Sequence, residues 1–280
     1  MKYFSIFSFL FFTCFTTFSQ GVYVSFIGKD YIPCELVFED QSIHHGFVKD
    51  FTLPKFIEFR SPLFDFKSLE SQFALDKKSF KFKKDSTGTV EKILLTSLKS
   101  ITLFAEDTVT FEKIKLKTLN HKSEIVDLKR EIMVPLLKRD KINIYGISAY
   151  HCDFVCDLVA VMAYVKKPDD DYAYIPLDHN RLNLFNASSL SNRFVDTFKE
   201  VGKDCPSYVS YLEEAKNKKL TAEEKKQQKA AYTDFRKNKE QKLVTIKDFK
   251  KKEKLKNSLD MEYMLLIYTN VIEQYKTKCD

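Results

Sequence analysis

The chain has 280 residues and a formal net charge of +7, and 44% of its residues are hydrophobic. This apolar share is ordinary for a globular protein and excludes wholesale disorder. The chain has six glycines and no Gly-x-Ser-x-Gly motif, which disfavours both a glycine-rich phosphate-binding loop and a serine-hydrolase nucleophile elbow.

The first nineteen residues have the pattern of a secretory signal peptide. Lys2 precedes an apolar, phenylalanine-rich run at 3–18, and small residues up to Ser19 indicate cleavage before Gln20. A membrane span needs about 20 apolar residues, so this run is short for one. The alternative to cleavage is that the run is retained as an N-terminal anchor. We therefore expect residues 1–19 to be removed and the mature chain to be exported without a transmembrane span.

Signal removal would leave five cysteines: Cys34, Cys152, Cys156, Cys205 and Cys279. In an exported protein these are disulfide candidates before they are metal ligands. An odd number leaves at least one thiol free or paired between chains, and we expect this to be Cys34, in the middle of a strand. Cys205 begins one predicted helix and Cys279 ends the last, so a bond between them would attach the end of the chain to the helical region.

From residue 20 to 177, hydrophobic and polar residues alternate between turn signals, as is typical of β-strands. No amphipathic helix alternates with these strands, which disfavours a parallel nucleotide-binding sheet. We predict an antiparallel β-meander that forms a roll, a barrel-like structure or a sandwich. The predicted strands are 22–26, 31–39, 43–49, 55–60, 79–84, 91–96, 100–104, 109–116, 130–137 (with Pro135 at a sheet edge or a bulge) and further strands within 141–177.

After Pro176 the hydrophobic residues recur with a helical period, which predicts a helical region over 178–280 and an α+β fold. In Asp204-Cys205-Pro206 the proline would occupy the first turn of a helix, where its missing N–H costs nothing. The last helix carries an apolar stripe, and Ser258 is its expected N-cap.

Residues 216–256 hold 16 Lys/Arg and 6 Asp/Glu, a net charge of +10, which leaves −3 for the rest of the chain. Thr221 and Glu224 have capping-box spacing, and Gly and Pro are absent, so this basic segment is predicted to form one long helix or two. It could bind an anionic surface, such as lipid headgroups or polysaccharide, and the alternative is a merely solvated helix. Export and the small number of aromatic residues in the segment disfavour nucleic acid as its ligand. The candidate anion contacts are Lys247, Lys250, Lys251, Lys252 and Lys254.

The loop around Cys152 and Cys156 also contains His151 and two aspartates, Asp153 and Asp157. Along a continuous strand the two cysteines would lie about 13 Å apart, but across a turn they could form a structural disulfide. Unpaired thiols and a metal or redox site are the alternatives, although the spacing matches no recognised zinc motif. We assign no catalytic, cofactor-binding or metal-ligating residue.

Taken together, these features resemble uncharacterised exported envelope proteins of Gram-negative bacteria. The matching features are the signal, a hairpin at 36–48 containing Gly46, strands up to Leu177, the Asp204-Cys205-Pro206 sequence and a final helix ending at Cys279. Asp40-Gln41 stands where such proteins usually have Asp-Gly, and the basic segment is an unusual addition. The resemblance implies a periplasmic or outer-membrane-associated protein without known catalysis.

We therefore expect a non-enzymatic envelope protein, without a cofactor, that acts as a binding or structural module. Its partner would be a protein or an anionic envelope component that meets the basic segment. The alternative function is a metal-dependent or hydrolytic enzyme with a site near the loop between Cys152 and Cys156.

Overall fold

The computed structural model describes residues 31–49, 78–105, 108–120, 122–152, 156–177, 187–218 and 221–279. Within these ranges the chain forms a ten-stranded sheet followed by four α-helices. The strands are β1 (Ile32–Phe38), β2 (Ile43–Lys49), β3 (Ser79–Lys83), β4 (Glu91–Leu94), β5 (Leu98–Phe104), β6 (Thr108–Leu119), β7 (Ile125–Lys138), β8 (Asn143–Cys152), β9 (Cys156–Lys166) and β10 (Tyr172–Tyr174). The helices are α1 (Ala187–Val201), α2 (Pro206–Asn217), α3 (Ala222–Val244) and α4 (Phe249–Cys279). The predicted signal peptide and the predicted strands 22–26 and 55–60 lie outside the described residues.

The fold is α+β and barrel-like, and its described helices follow the strands. Strands β6 to β10 are hydrogen-bonded in chain order, and β10 closes this five-stranded ring by pairing with residues 115–117 of β6. The closing pair is parallel, so the prediction of a purely antiparallel meander is wrong at this point. Hydrophobic alternation identifies a strand and its buried face, but it carries no information about the partner of a three-residue strand.

The first five strands, which we call the first layer, continue the sheet from β6 in the order β5-β1-β2-β3-β4. After β4 a short 3-10 turn, Leu95–Ser97, redirects the chain so that β5 pairs with β1 on the far side of the layer. This is the second departure from a simple meander. The buried face of the layer forms its own core, which includes Leu36, Phe80, Phe82, Leu98 and Ile101.

Strands β8 and β9 are buried on both faces. Tyr145 and Tyr164 belong to the barrel interior, whereas Ile144 and Val165, one residue away along each strand, belong to a core shared with the helices. Successive side chains of a strand point to opposite faces, which explains this division. The outer face of β8 and β9 therefore provides the platform on which the helices pack.

Pro135 lies in β7, an interior strand between β6 and β8, so the edge-strand alternative is wrong. It stands opposite Phe111 of β6. The pairing of β7 with β8 shifts register directly after it, between Leu136 and Lys138. A local irregularity beside the proline fits the other alternative, because proline cannot donate a ladder hydrogen bond.

Helices α1, α2 and the C-terminal half of α4 pack on this platform. Phe198 of α1 is completely buried, and the ring of Phe194 meets Tyr268 of α4 edge-on at 5.3 Å between centroids. Pro206 occupies the first turn of α2, as predicted. Tyr208, two residues further, contacts Tyr275 of α4 in a T-shaped arrangement at 5.1 Å between ring centroids.

A disulfide joins Cys205, the N-cap of α2, to Cys279 at the end of α4, and their Cα atoms lie 5.9 Å apart. This is the pair that the sequence predicts. Cys34 is buried in the first layer with a free thiol, and burial raises its pKa to about 12. A thiol that stays protonated is a poor nucleophile, so Cys34 acts as a core residue.

Candidate functional site

The basic segment spans the end of α2, all of α3 and the first turns of α4. Helix α3 begins with the predicted capping box: the Thr221 hydroxyl accepts a hydrogen bond from the Glu224 N–H, and the Thr221 N–H donates to the Glu224 carboxylate at 2.9 Å. The Lys218 ammonium donates to the same carboxylate at 2.7 Å. The Lys218 and Thr221 hydrogen bonds lower the pKa of Glu224 to about 2.

Helices α3 and α4 form an antiparallel pair, which we call the helical hairpin. Tyr263 of α4 stacks on Phe235 of α3 at 4.4 Å between ring centroids and contacts Tyr232 at 5.6 Å. Closer to the connection, Lys239 of α3 forms an ion pair with Asp260 of α4 at 2.5 Å. Residues 239 and 260 thus face each other, as do 232 and 263, which fixes the opposite directions of the two helices.

The connection between the two helices is short, at residues 245–248. Helix α4 begins at Phe249, and the Asp248 carboxylate accepts a hydrogen bond from the Lys251 N–H at 2.8 Å. Ser258 therefore lies inside the helix, and its predicted role as N-cap is wrong. From residue 222 onward the basic segment consists of two helices separated by a bend, and the single-helix alternative is wrong as well.

The C-terminal half of α4 anchors the hairpin to the body of the protein. Its core contacts begin at Met261, which packs against the core shared by β8, β9 and α1. Phe249 precedes Met261 by twelve residues, and at 1.5 Å per residue it lies about 18 Å further along the helix axis. At the other end, the Lys276 ammonium bonds Asp140 of the barrel at 2.8 Å, next to the disulfide of Cys279.

The far end of the hairpin, residues 242–252, combines positive charge with exposed apolar side chains; we call it the hairpin tip. It contains five lysines and one aspartate, a net charge of +4. Val244 is 79% exposed and Phe249 is 61% exposed. The five predicted anion contacts are all exposed, four in the tip and one two residues beyond it: Lys247, Lys250, Lys251, Lys252 and Lys254.

The tip lysines do not stabilise the fold by pairing. Across the described ranges, the ammonium groups of Lys247, Lys250, Lys251 and Lys252 form no ion pair. The first turn of α4 contains no acidic residue, and three of these lysines follow its first residue. A cation at the positive end of a helix macrodipole is unfavourable, by about 0.3–1 kcal/mol for each residue. The fold thus offers no ion pair that would explain these four lysines, which points to a role outside the fold.

The other candidate site, around Cys152, lies where β8 turns into β9. The register pairs residue 152 directly with residue 156, so the two backbones face each other across the strand pair. The two residues therefore do not lie along one continuous strand, as the predicted disulfide requires. The side chains of His151, Cys152, Cys156 and Asp157, and all of Asp153, lie outside the described residues, and the disulfide stays a prediction.

A polar group inside the barrel was not found by sequence reasoning. The Tyr145 hydroxyl donates to the Glu112 carboxylate at 2.6 Å and accepts from the Asn143 amide at 3.2 Å, while Arg139 donates to the other Glu112 oxygen at 3.0 Å. Burial raises the pKa of Tyr145 above its ordinary value, so the phenol stays protonated. Each member has a partner, as buried polar groups require, and the group has a structural explanation.

In the portion of the chain that the structure covers, no three His, Cys, Asp or Glu side chains converge in a way that could hold a metal ion. None of the described helices has an apolar stretch long enough to cross a membrane. Comparisons with protein-family models, with curated proteins and with solved structures found no match.

Proposed function

We propose that this chain is a non-enzymatic binding module of the cell envelope whose helical hairpin contacts an anionic surface. The observation that carries the proposal is the hairpin tip: exposed lysines without ion-pair partners in the described chain, where Phe249 lies about 18 Å along α4 from Met261. The candidate ligands, such as lipid headgroups or an anionic polysaccharide, all carry a dense array of phosphate, carboxylate or sulfate groups.

The expected electrostatic contribution is large enough for binding. A lysine close to an anionic membrane surface contributes about 1 kcal/mol, so five tip lysines would together contribute about 5 kcal/mol. Such attraction decays within a Debye length, which falls from about 30 Å at 0.01 M salt to about 8 Å at 0.15 M. Binding by this mechanism must therefore weaken steeply as salt is added.

The proposal includes export to the periplasm, the outer membrane or the medium. The apolar leader of residues 1–19 and the cysteine content support it. The Cys205–Cys279 bond supports it independently, because structural disulfides persist in oxidising compartments and are rare in the reducing cytosol.

Charge reversal at the tip tests the proposal. The variant Lys250→Glu/Lys251→Glu/Lys252→Glu is compared with wild type for binding to dextran sulfate and for sedimentation with vesicles that contain phosphatidylglycerol. Losing three lysines at about 1 kcal/mol each predicts binding at least about 100-fold weaker.

The matched control is Lys81→Glu/Lys92→Glu/Lys99→Glu, which makes the same charge change at exposed positions of β3, β4 and β5. We expect this control to retain most of the affinity, because its sites lie outside the hairpin. Equal losses in the two variants, or binding that is insensitive to salt, would contradict a dedicated anion-binding hairpin.

A further inference from the structure

The exposed apolar residues of the tip indicate which kind of anionic surface it binds. Resting on the proposed function, we infer that the tip binds an anionic lipid bilayer, with Phe249 and Val244 entering the boundary between headgroups and acyl chains. A polysaccharide or another soluble polyanion would use the lysines and leave these two side chains in water.

The two side chains lie on either side of the bend between α3 and α4, where a flat surface would meet the hairpin first. Val244 ends α3 and Phe249 begins α4, and they are 79% and 61% exposed. Leu243, the neighbour of Val244, is buried. Around the bend, one apolar side chain is therefore buried and two are exposed.

Lysines surround the two apolar residues. Lys242 and Lys247 flank Val244 in sequence, and Lys250 to Lys252 follow Phe249. Long lysine side chains can lay their methylene groups along an apolar surface while the ammonium group reaches the phosphate level. Apolar side chains framed by lysines are typical of segments that lie in the membrane interface, where attraction to anionic lipids adds to apolar burial.

Helix α4 extends well beyond the part that anchors it. Interfacial helices bury their apolar face about 5–10 Å into the headgroup region. The tip extends about 18 Å beyond Met261, the first residue of α4 that joins the central core. The length of helix that precedes Met261 therefore exceeds the depth of insertion.

The experiment uses the absence of tryptophan from the chain. In Phe249→Trp the single indole reports the environment of the tip, and Phe104→Trp, at an exposed position of β5, is the matched control. With vesicles of phosphatidylcholine and phosphatidylglycerol we expect a blue shift and reduced acrylamide quenching for Phe249→Trp alone. Saturating dextran sulfate should leave the spectrum of Phe249→Trp unshifted.

A second variant, Val244→Ser/Phe249→Ser, measures what the apolar side chains add. We expect at least about tenfold weaker vesicle binding with unchanged dextran sulfate binding, because only the bilayer offers these side chains an apolar environment. Vesicle binding equal to that of wild type, or an unshifted indole spectrum of Phe249→Trp in vesicle-bound protein, would overturn the inference and leave the proposed function intact. Failure of wild type to bind either probe would instead overturn the proposed function.

Discussion

The Cys205–Cys279 disulfide is predicted to contribute a large part of the stability of this protein. Its removal by Cys205→Ala/Cys279→Ala releases a loop of 74 residues in the unfolded chain. The chain-entropy relation gives about 15 cal/mol/K for a loop of this length, or about 4 kcal/mol at 25 °C. Alanine is preferred to serine, because a serine at the N-cap of α2 would introduce a new helix cap.

Urea unfolding, followed by circular dichroism, measures this effect. With a denaturant slope of about 3 kcal/mol/M, a loss of about 4 kcal/mol lowers the midpoint by about 1.5 M. The matched variant Cys152→Ala/Cys156→Ala would open a loop of only four residues, worth about 2 kcal/mol if that bond exists. Adding a reductant to wild type should reproduce the loss. The reasoning is refuted if the Cys205→Ala/Cys279→Ala variant unfolds at the same urea concentration as wild type.

Three further results are expected. Phe198→Ala removes a completely buried ring and should cost about 3–5 kcal/mol in calorimetry, whereas Phe104→Ala, at an exposed position, should change stability by less than about 0.5 kcal/mol; equal losses would contradict the assigned core. Because the folded pKa of Glu224 lies below its ordinary value of 4.5, its contribution to the α3 cap is complete above that pH and disappears as the pH falls through about 2; a carboxyl NMR titration with a midpoint at the ordinary value would contradict this. In mature protein unfolded without reductant, only the Cys34 thiol should react, and three reactive thiols would exclude the predicted disulfide between β8 and β9.

The positions of the strands could be read from the sequence, but their partners could not. The prediction of a strand at 43–49 matches β2 residue for residue, and 79–84 matches β3 to within one residue. Period-two alternation determines which side chains share a face. It does not specify that β5 pairs with β1, or that β10 joins β6 in parallel, because those choices depend on how distant layers close around a common core.

The charge of the candidate site could also be predicted, and its shape could not. Composition alone identifies the basic segment and its lysines. The sequence places apolar residues here at Leu243, Val244, Ile246 and Phe249, but it does not show which of them are exposed; Leu243 is buried, whereas Val244 and Phe249 are exposed. The position of the bend at residues 245–248 also depends on a local contact, the hydrogen bond from the Lys251 N–H to the Asp248 carboxylate.

The parallel pairing of β10 with β6 has a consequence for the time course of folding. Its register joins Lys115 to Tyr172, 57 positions apart, whereas β8 and β9 pair residues as close in sequence as 152 and 156. Contacts between residues that are far apart in sequence form late in folding. We therefore expect β10 to pair with β6 after the antiparallel strand pairs of the ring have formed. Until then the part of β6 that pairs with β10 presents unpaired amides and carbonyls, which could pair with a strand of another molecule. Aggregation during refolding should therefore increase with protein concentration, and variants that weaken β10 should aggravate it.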